Sequence, residues 1–201
     1  MKNQPAGRKL FSVGEAYMNL YYAFCSMPSF RHARKTNLLS EEWMERIMLA
    51  VTEVNKCAMC SYAHTKIALE AGLEKEEIRA MLAGDLSGAK QEELAALLFA
   101  QHYADTRGKP SAEAWQAIVE QYGYETGLGI LGAIRMITVG NTYGIPSGNL
   151  LSRLTGRPLD PRSRLGYELA MLFTLIPFLP CAALQALAAG LLRQPVLCIR
   201  E

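Results

Sequence analysis

The chain lacks several of the usual markers of function. No basic stripe interleaved with aromatics is present, and the formal net charge is only +2, so a nucleic-acid partner is not expected. No Gly-rich nucleotide fingerprint is recognised, so electrons or phosphates carried by a bound nucleotide are not expected either. No run of period-two alternation is bounded by turn residues, which argues against a β fold. No fixed-period repeat is visible, so a solenoid is not expected. The N-terminus lacks the charged-then-apolar pattern of a secretory signal, and the five cysteines are an odd number in a chain too long to need disulfide staples. From these two features the catalytic part is expected in the reducing cytoplasm.

What is present is a 201-residue chain, 50% hydrophobic and 20% charged, enough for one substantial core. Apolar residues recur at helical spacing almost throughout, so the fold class is all-α. A first helix is expected over residues 13–26, with Tyr17, Leu20, Tyr21 and Phe24 on one face, ended by Pro28 and followed by a solvated basic loop over 31–35. Ser40 is suited to N-cap a second helix that runs to about Asn55, with Glu41 and Glu42 in its first turn. Further helices are expected from about Cys57 to near Gly72, over 74–83 and over 91–106. Another follows the Ser111 cap to near Gly123, and the last of the core runs from about Glu125 to the Gly144-Ile145-Pro146 breaker.

The segment Val54-Asn55-Lys56-Cys57-Ala58-Met59-Cys60-Ser61-Tyr62-Ala63-His64 is the densest cluster of reactive side chains. On a helix Cys57 and Cys60 are three apart and Cys60 and His64 four apart, so all three share one face. A helix N-terminus favours negative charge and so favours a thiolate there. His64 is placed to accept the Cys60 proton, and a second cysteine nearby converts a sulfenic acid to a disulfide before over-oxidation. Two other readings exist. The cysteines are packing residues on a helix face, or they hold zinc with a fourth ligand drawn from His32, His102 or Cys25, which stand as scattered singles in a loop or on a helix surface.

Upstream, Met44-Glu45-Arg46-Ile47-Met48-Leu49-Ala50-Val51 followed by Asn55-Lys56-Cys57 resembles the AhpD-like alkylhydroperoxidase core of the carboxymuconolactone decarboxylase family. Glu45 stands twelve residues before Cys57, matching that family's relay glutamate. Further matches are Glu70-Ala71-Gly72-Leu73, Leu82-Ala83-Gly84, Leu98-Phe99-Ala100 leading to Thr106-Arg107-Gly108, and Asn141.

The resemblance covers about residues 40–150. It implies an AhpD-like helical core there, preceded by an N-terminal helix and loop over 1–39 and followed by a linker and apolar tail over 151–201. It implies Cys60 as peroxidatic thiol, Cys57 as resolving thiol, and Glu45 with His64 as the relay. The dipole at the helix start favours Cys57 as the more acidic thiol, whereas adjacency to His64 favours Cys60.

The implied substrate is a hydroperoxide or a protein disulfide, re-reduced by an external thiol donor such as a thioredoxin-like or lipoyl protein, with no bound metal or cofactor. A homo-oligomer, trimer or hexamer, is implied as well. One departure is Met59, where AhpD proteins carry histidine. It bears on peroxidase efficiency more than on disulfide exchange. Different classes of function remain as alternatives: a redox-sensing or scaffold oligomer without turnover, and a decarboxylase-like lyase using His64 or Glu45 as base. Without the resemblance Glu45 reads as a solvated helix carboxylate, as Glu53 does.

Residues 169–192 carry no charge, a length that can cross a bilayer, with Arg153, Arg157, Arg162 and Arg164 before them and Arg193 and Arg200 after. Pro177 and Pro180 interrupt the stretch, so two shorter helices buried against a partner subunit are the competing reading to membrane attachment. Cys181 and Cys198 fall in this region and read as packing or surface thiols.

Overall fold

The computed structural model describes residues 10–192. Among them are eight helices and no strand: α1 Val13–Lys35, α2 Glu41–Asn55, α3 Ala58–Glu70, α4 Lys75–Leu82, α5 Leu94–Asp105, α6 Ala112–Tyr122, α7 Tyr124–Thr155 and α8 Leu165–Leu191. The all-α class is therefore observed. The long α7 is the axis of the fold, with α1, α2, α3 and α6 packed along it and α8 laid against α1 and α7.

Helix starts follow local chemistry. Ser12 and Glu15 form a reciprocal capping box on α1, and the Ser40 and Ser111 hydroxyls accept the N–H groups of Trp43 and Ala114.

Three of the expected interruptions are absent. The helix expected to stop at Ser26 continues through Pro28 to Lys35, so residues 31–35 and His32 are helical rather than a loop. Proline removes one hydrogen bond, but the segment beyond it is held against α7: a Cβ on Gly132 would come 2.8 Å from Phe30 Cβ, and one on Gly129 2.6 Å from Ala33 Cβ. This close backbone approach outweighs the local cost of proline.

Gly127-Leu128-Gly129-Ile130-Leu131-Gly132 does spell a G-x-G-x-x-G string. It lies inside α7, and its last two glycines face α1 rather than forming a phosphate-binding turn after a strand.

Likewise α7 continues through Pro146 to Thr155 instead of ending at the Gly144-Ile145-Pro146 breaker. Tyr143, Ile145, Pro146 and Asn149 are all buried, and the Ser147 hydroxyl donates to the Tyr143 carbonyl at 2.7 Å. Tertiary burial on both sides of the proline keeps the helix going.

The tail is a single helix with both Pro177 and Pro180 inside it. By length and composition α8 is able to cross a membrane. It is tied to α7 by Arg153, whose guanidinium donates to both carboxylate oxygens of the buried Glu168 at 2.8 and 3.0 Å, with Ser163 donating to the same group. Arg193, Cys198 and Arg200 lie outside the described residues.

Candidate active site

The connection between α2 and α3 sets the geometry. Helix α2 ends at Asn55, and Lys56 takes the left-handed conformation (φ 55°, ψ 48°), which costs a non-glycine residue roughly 1 kcal/mol. Its side chain pairs with Glu53, and its carbonyl accepts a bond from Arg162 Nη2 at 3.4 Å. The Glu53 carboxylate is mostly covered rather than solvated.

The turn delivers Cys57 as the N-cap of α3, one residue before the helix proper, where its sulfur accepts the N–H of Cys60 at 3.2 Å. Cys57 and Cys60 form a disulfide, with Cα atoms 5.2 Å apart. Cys57 is fully buried and Cys60 is 7% exposed. Met59 and Tyr62 next to them stand in solvent, Tyr62 at 81% exposure.

Helix α7 forms the floor. A Cβ on Gly144 would fall 2.5 Å from Cys60 Sγ and 2.9 Å from Cys57 Sγ, so only glycine leaves room for the pair. The Gly140 carbonyl oxygen lies 3.4 Å from Cys60 Sγ, within reach of a donated S–H once the disulfide is reduced. Beside this floor, Asn55 Nδ2 donates to Asn141 Oδ1 at 2.9 Å, and Asn141 Nδ2 donates to Thr52 Oγ1 at 3.2 Å. All three residues are buried, which fixes the end of α2 against α7.

One turn beyond Cys60, His64 on α3 meets Glu45 on α2, with 2.8 Å between Glu45 Oε2 and His64 Nδ1. Glu45 is 8% exposed. Its carboxylate can only accept, so in a neutral ring the proton sits on Nδ1 and the basic lone pair on Nε2. Helix α2 is held in place by Arg46, which bonds to Glu77 at 2.6 Å and lies 3.3 Å from Glu93 and 3.5 Å from Glu42. Its three carboxylate partners raise the Arg46 pKa against an opposing push from burial. Burial is also what raises the Glu93 carboxyl. Glu45 also lines a cavity of about 330 Å³ with Phe30, Met44, Met48 and Ile67.

The structure thus brings Cys57 and Cys60 together and, separately, Glu45 and His64. His64 stands one turn beyond Cys60 on α3. His32 is on α1, and His102 on α5 has its Nε2 buried without a partner rather than on the helix surface. Among the described residues no three His, Cys, Asp or Glu side chains are grouped to hold a metal ion. Reading the sequence missed Gly144, taken there only as part of a breaker, and the role of Thr52. The recurrence of glycine at 140, 144 and 148, a four-residue spacing on one helix face, was the available signal.

Every one of the four candidate residues lies within a stretch that matches a known family model. Residues 27–102 match the carboxymuconolactone decarboxylase family. That family includes AhpD-like proteins. No curated protein and no solved structure matched the chain. The carboxymuconolactone decarboxylase match begins inside α1 and stops inside α5, so the α7 floor and α8 lie beyond it.

Proposed function

We propose that the protein is a dithiol–disulfide oxidoreductase of the AhpD-like kind, reducing an alkyl hydroperoxide or a partner disulfide with Cys57 and Cys60. The observation that carries this reading is the disulfide seated at the start of α3, with the Glu45–His64 pair one turn further on.

In the peroxidase direction the Cys60 thiolate attacks the outer oxygen of the hydroperoxide. The O–O bond breaks, the alcohol leaves with a proton supplied through His64, and Cys60 becomes a sulfenic acid. Cys57 then attacks that sulfur, an S–S bond forms and water departs, so one hydroperoxide and two thiols yield alcohol, water and disulfide. Glu45 orients the His64 ring, the role of the third group in other nucleophile–base pairs.

The assignment of Cys60 as attacking thiol is supported by access, because Cys57 is fully covered while Cys60 retains some exposure. The same asymmetry serves re-reduction. A donor thiolate reaches the Cys60 sulfur, and Cys57 departs as a thiolate favoured by the N–H it already accepts and by the helix N-terminus. The electrons come from an external dithiol of thioredoxin-like or lipoyl type.

The test is steady-state consumption of cumene hydroperoxide by the reduced protein with dithiothreitol as donor, comparing wild type with Cys60→Ser and Cys57→Ser. Turnover that both substitutions abolish supports the proposal. Wild type no faster than the two variants overturns its peroxidase arm, and a pair that also fails to exchange with a small disulfide overturns the rest.

A further inference from the structure

The cavity that reaches Glu45 is lined from α1, α2 and α3, and the chemistry of the two sulfurs makes no use of it. Its volume of about 330 Å³ falls at the lower end of the range for small-molecule sites, about 300–1,000 Å³. Phe30 from α1, Met44 and Met48 from α2 and Ile67 from α3 make its walls apolar.

Glu45 is the buried charged group in this lining, at 8% exposure. Its Oε2 is engaged by His64 Nδ1 at 2.8 Å, whereas Oε1 accepts no hydrogen bond from any described residue and keeps some accessible surface. A carboxylate oxygen has lone pairs for two donors, and a mostly buried one gains from any donor brought to it.

The surrounding charge selects what brings that donor. Glu41 and Glu70 add two exposed carboxylates to the lining, against the single cation Arg34. Arg34 is already occupied, 4.0 Å from Glu41 and over the Phe30 ring at 5.9 Å. The carboxylates do not gather around a bare metal ion, because among the described residues no three acidic, His or Cys side chains are so grouped.

We propose that the cavity binds a small organic cation, a primary ammonium on an apolar body. The ammonium donates to Glu45 Oε1, and the body lies against Met44, Met48 and Ile67. A charged donor on a charged acceptor makes the stronger kind of hydrogen bond, and a mostly apolar pocket with one convergent polar group fixes the orientation of what enters it. One carboxylate then serves both the ligand and the His64 ring, so occupancy is felt at Nδ1. The site does not depend on how the sulfurs react.

The experiment is calorimetric titration of the full-length protein with 2-phenylethylammonium, with neutral 2-phenylethanol and with the anion 3-phenylpropionate, for wild type, Glu45→Gln and Ile67→Trp. Ile67 is 44% exposed, so a larger side chain there fills the cavity from its outer side. Circular dichroism confirms that the variants are folded, and if Glu45→Gln is not, Ile67→Trp and the ranking of the three ligands decide. The ammonium is expected to bind saturably, one per chain, at least ~10-fold tighter than the alcohol and at least ~10-fold weaker after either substitution, as a hydrogen bond to a charged group implies. Nitrogen-15 spectra of the imidazoles should show the His64 signals moving during the ammonium titration and those of His102 on α5 staying in place. The proposal is overturned by an ammonium that does not saturate, by an alcohol or carboxylate bound as tightly, by binding that either folded variant leaves unchanged, or by a His64 ring that does not respond.

Discussion

Glu45 and His64, nineteen positions apart in sequence and on different helices, share a 2.8 Å hydrogen bond between Oε2 and Nδ1. The carboxylate fixes the ring and leaves Nε2 as its base. Replacing Glu45 by Gln keeps an acceptor but adds an amide donor, so the ring is no longer held in one orientation. Because assistance by a positioned acid or base is worth about 10²- to 10⁴-fold, we expect at least a ~10²-fold fall in kcat/KM for hydroperoxide reduction near neutral pH. The readout is the pH–rate profile of Glu45→Gln. A variant with wild-type rate and profile removes Glu45 from the relay.

Gly144 on α7 faces both sulfurs. Ala at this position drives a methyl into Cys60 Sγ and Cys57 Sγ, so either α7 or the start of α3 must shift. Overpacking of this kind costs about 1–3 kcal/mol. Gly144→Ala is expected to lower the thermal midpoint of the oxidised protein and to slow disulfide formation, whereas Gly156→Ala, strained but remote from the pair, leaves disulfide formation unchanged. Differential scanning calorimetry with thiol titration separates the two effects.

The elements with caps and clear apolar periodicity were legible in the sequence, α2 and α6 to within a residue at their starts, because serine caps and first-turn carboxylates are local signals. The missed elements share one cause. Pro28, Pro146 and the Pro177/Pro180 pair read locally as stops, yet all lie inside helices; for Pro28 and Pro146 burial against distant segments outweighs one lost hydrogen bond, whereas α8 is mostly exposed around its two prolines. At the site, the Cys57, Cys60 and His64 spacing was visible as a motif. The Gly144 floor and the Asn55–Asn141–Thr52 link were not, since they join residues more than eighty positions apart.

Asn141 holds the end of α2 through two buried hydrogen bonds. Truncating it to Ala strands the Asn55 amide and the Thr52 hydroxyl in the interior, at about 1–3 kcal/mol for a buried group left unsatisfied. Urea unfolding of Asn141→Ala should show that loss, and the double variant Asn55→Ala/Asn141→Ala should lose less than the sum of its two singles.

Glu15 and Arg107 supply a pH signature. Hydrogen bonding to the Arg107 guanidinium, opposed in part by burial, lowers the Glu15 carboxyl from its usual 4.5 to about 2. A depressed carboxyl stabilises the fold above its unfolded value, and that contribution disappears as pH falls through the folded value. The stability difference between wild type and Glu15→Gln should therefore be constant above about pH 5 and shrink steadily between 4.5 and about 2. Thermal melts across this range check it, and a gap that widens toward low pH contradicts it.

The central claim is that Cys57 and Cys60 act as one two-electron unit with Cys60 attacking first. Its most direct test mixes fully reduced protein with one equivalent of cumene hydroperoxide and locates the products by peptide mass mapping. The account predicts one Cys57–Cys60 disulfide per hydroperoxide consumed, with Cys57→Ser accumulating sulfenic acid at residue 60 and Cys60→Ser leaving the peroxide intact. Rapid oxidation of Cys57 in the Cys60→Ser protein, or two thiols that remain reduced in wild type, would contradict it.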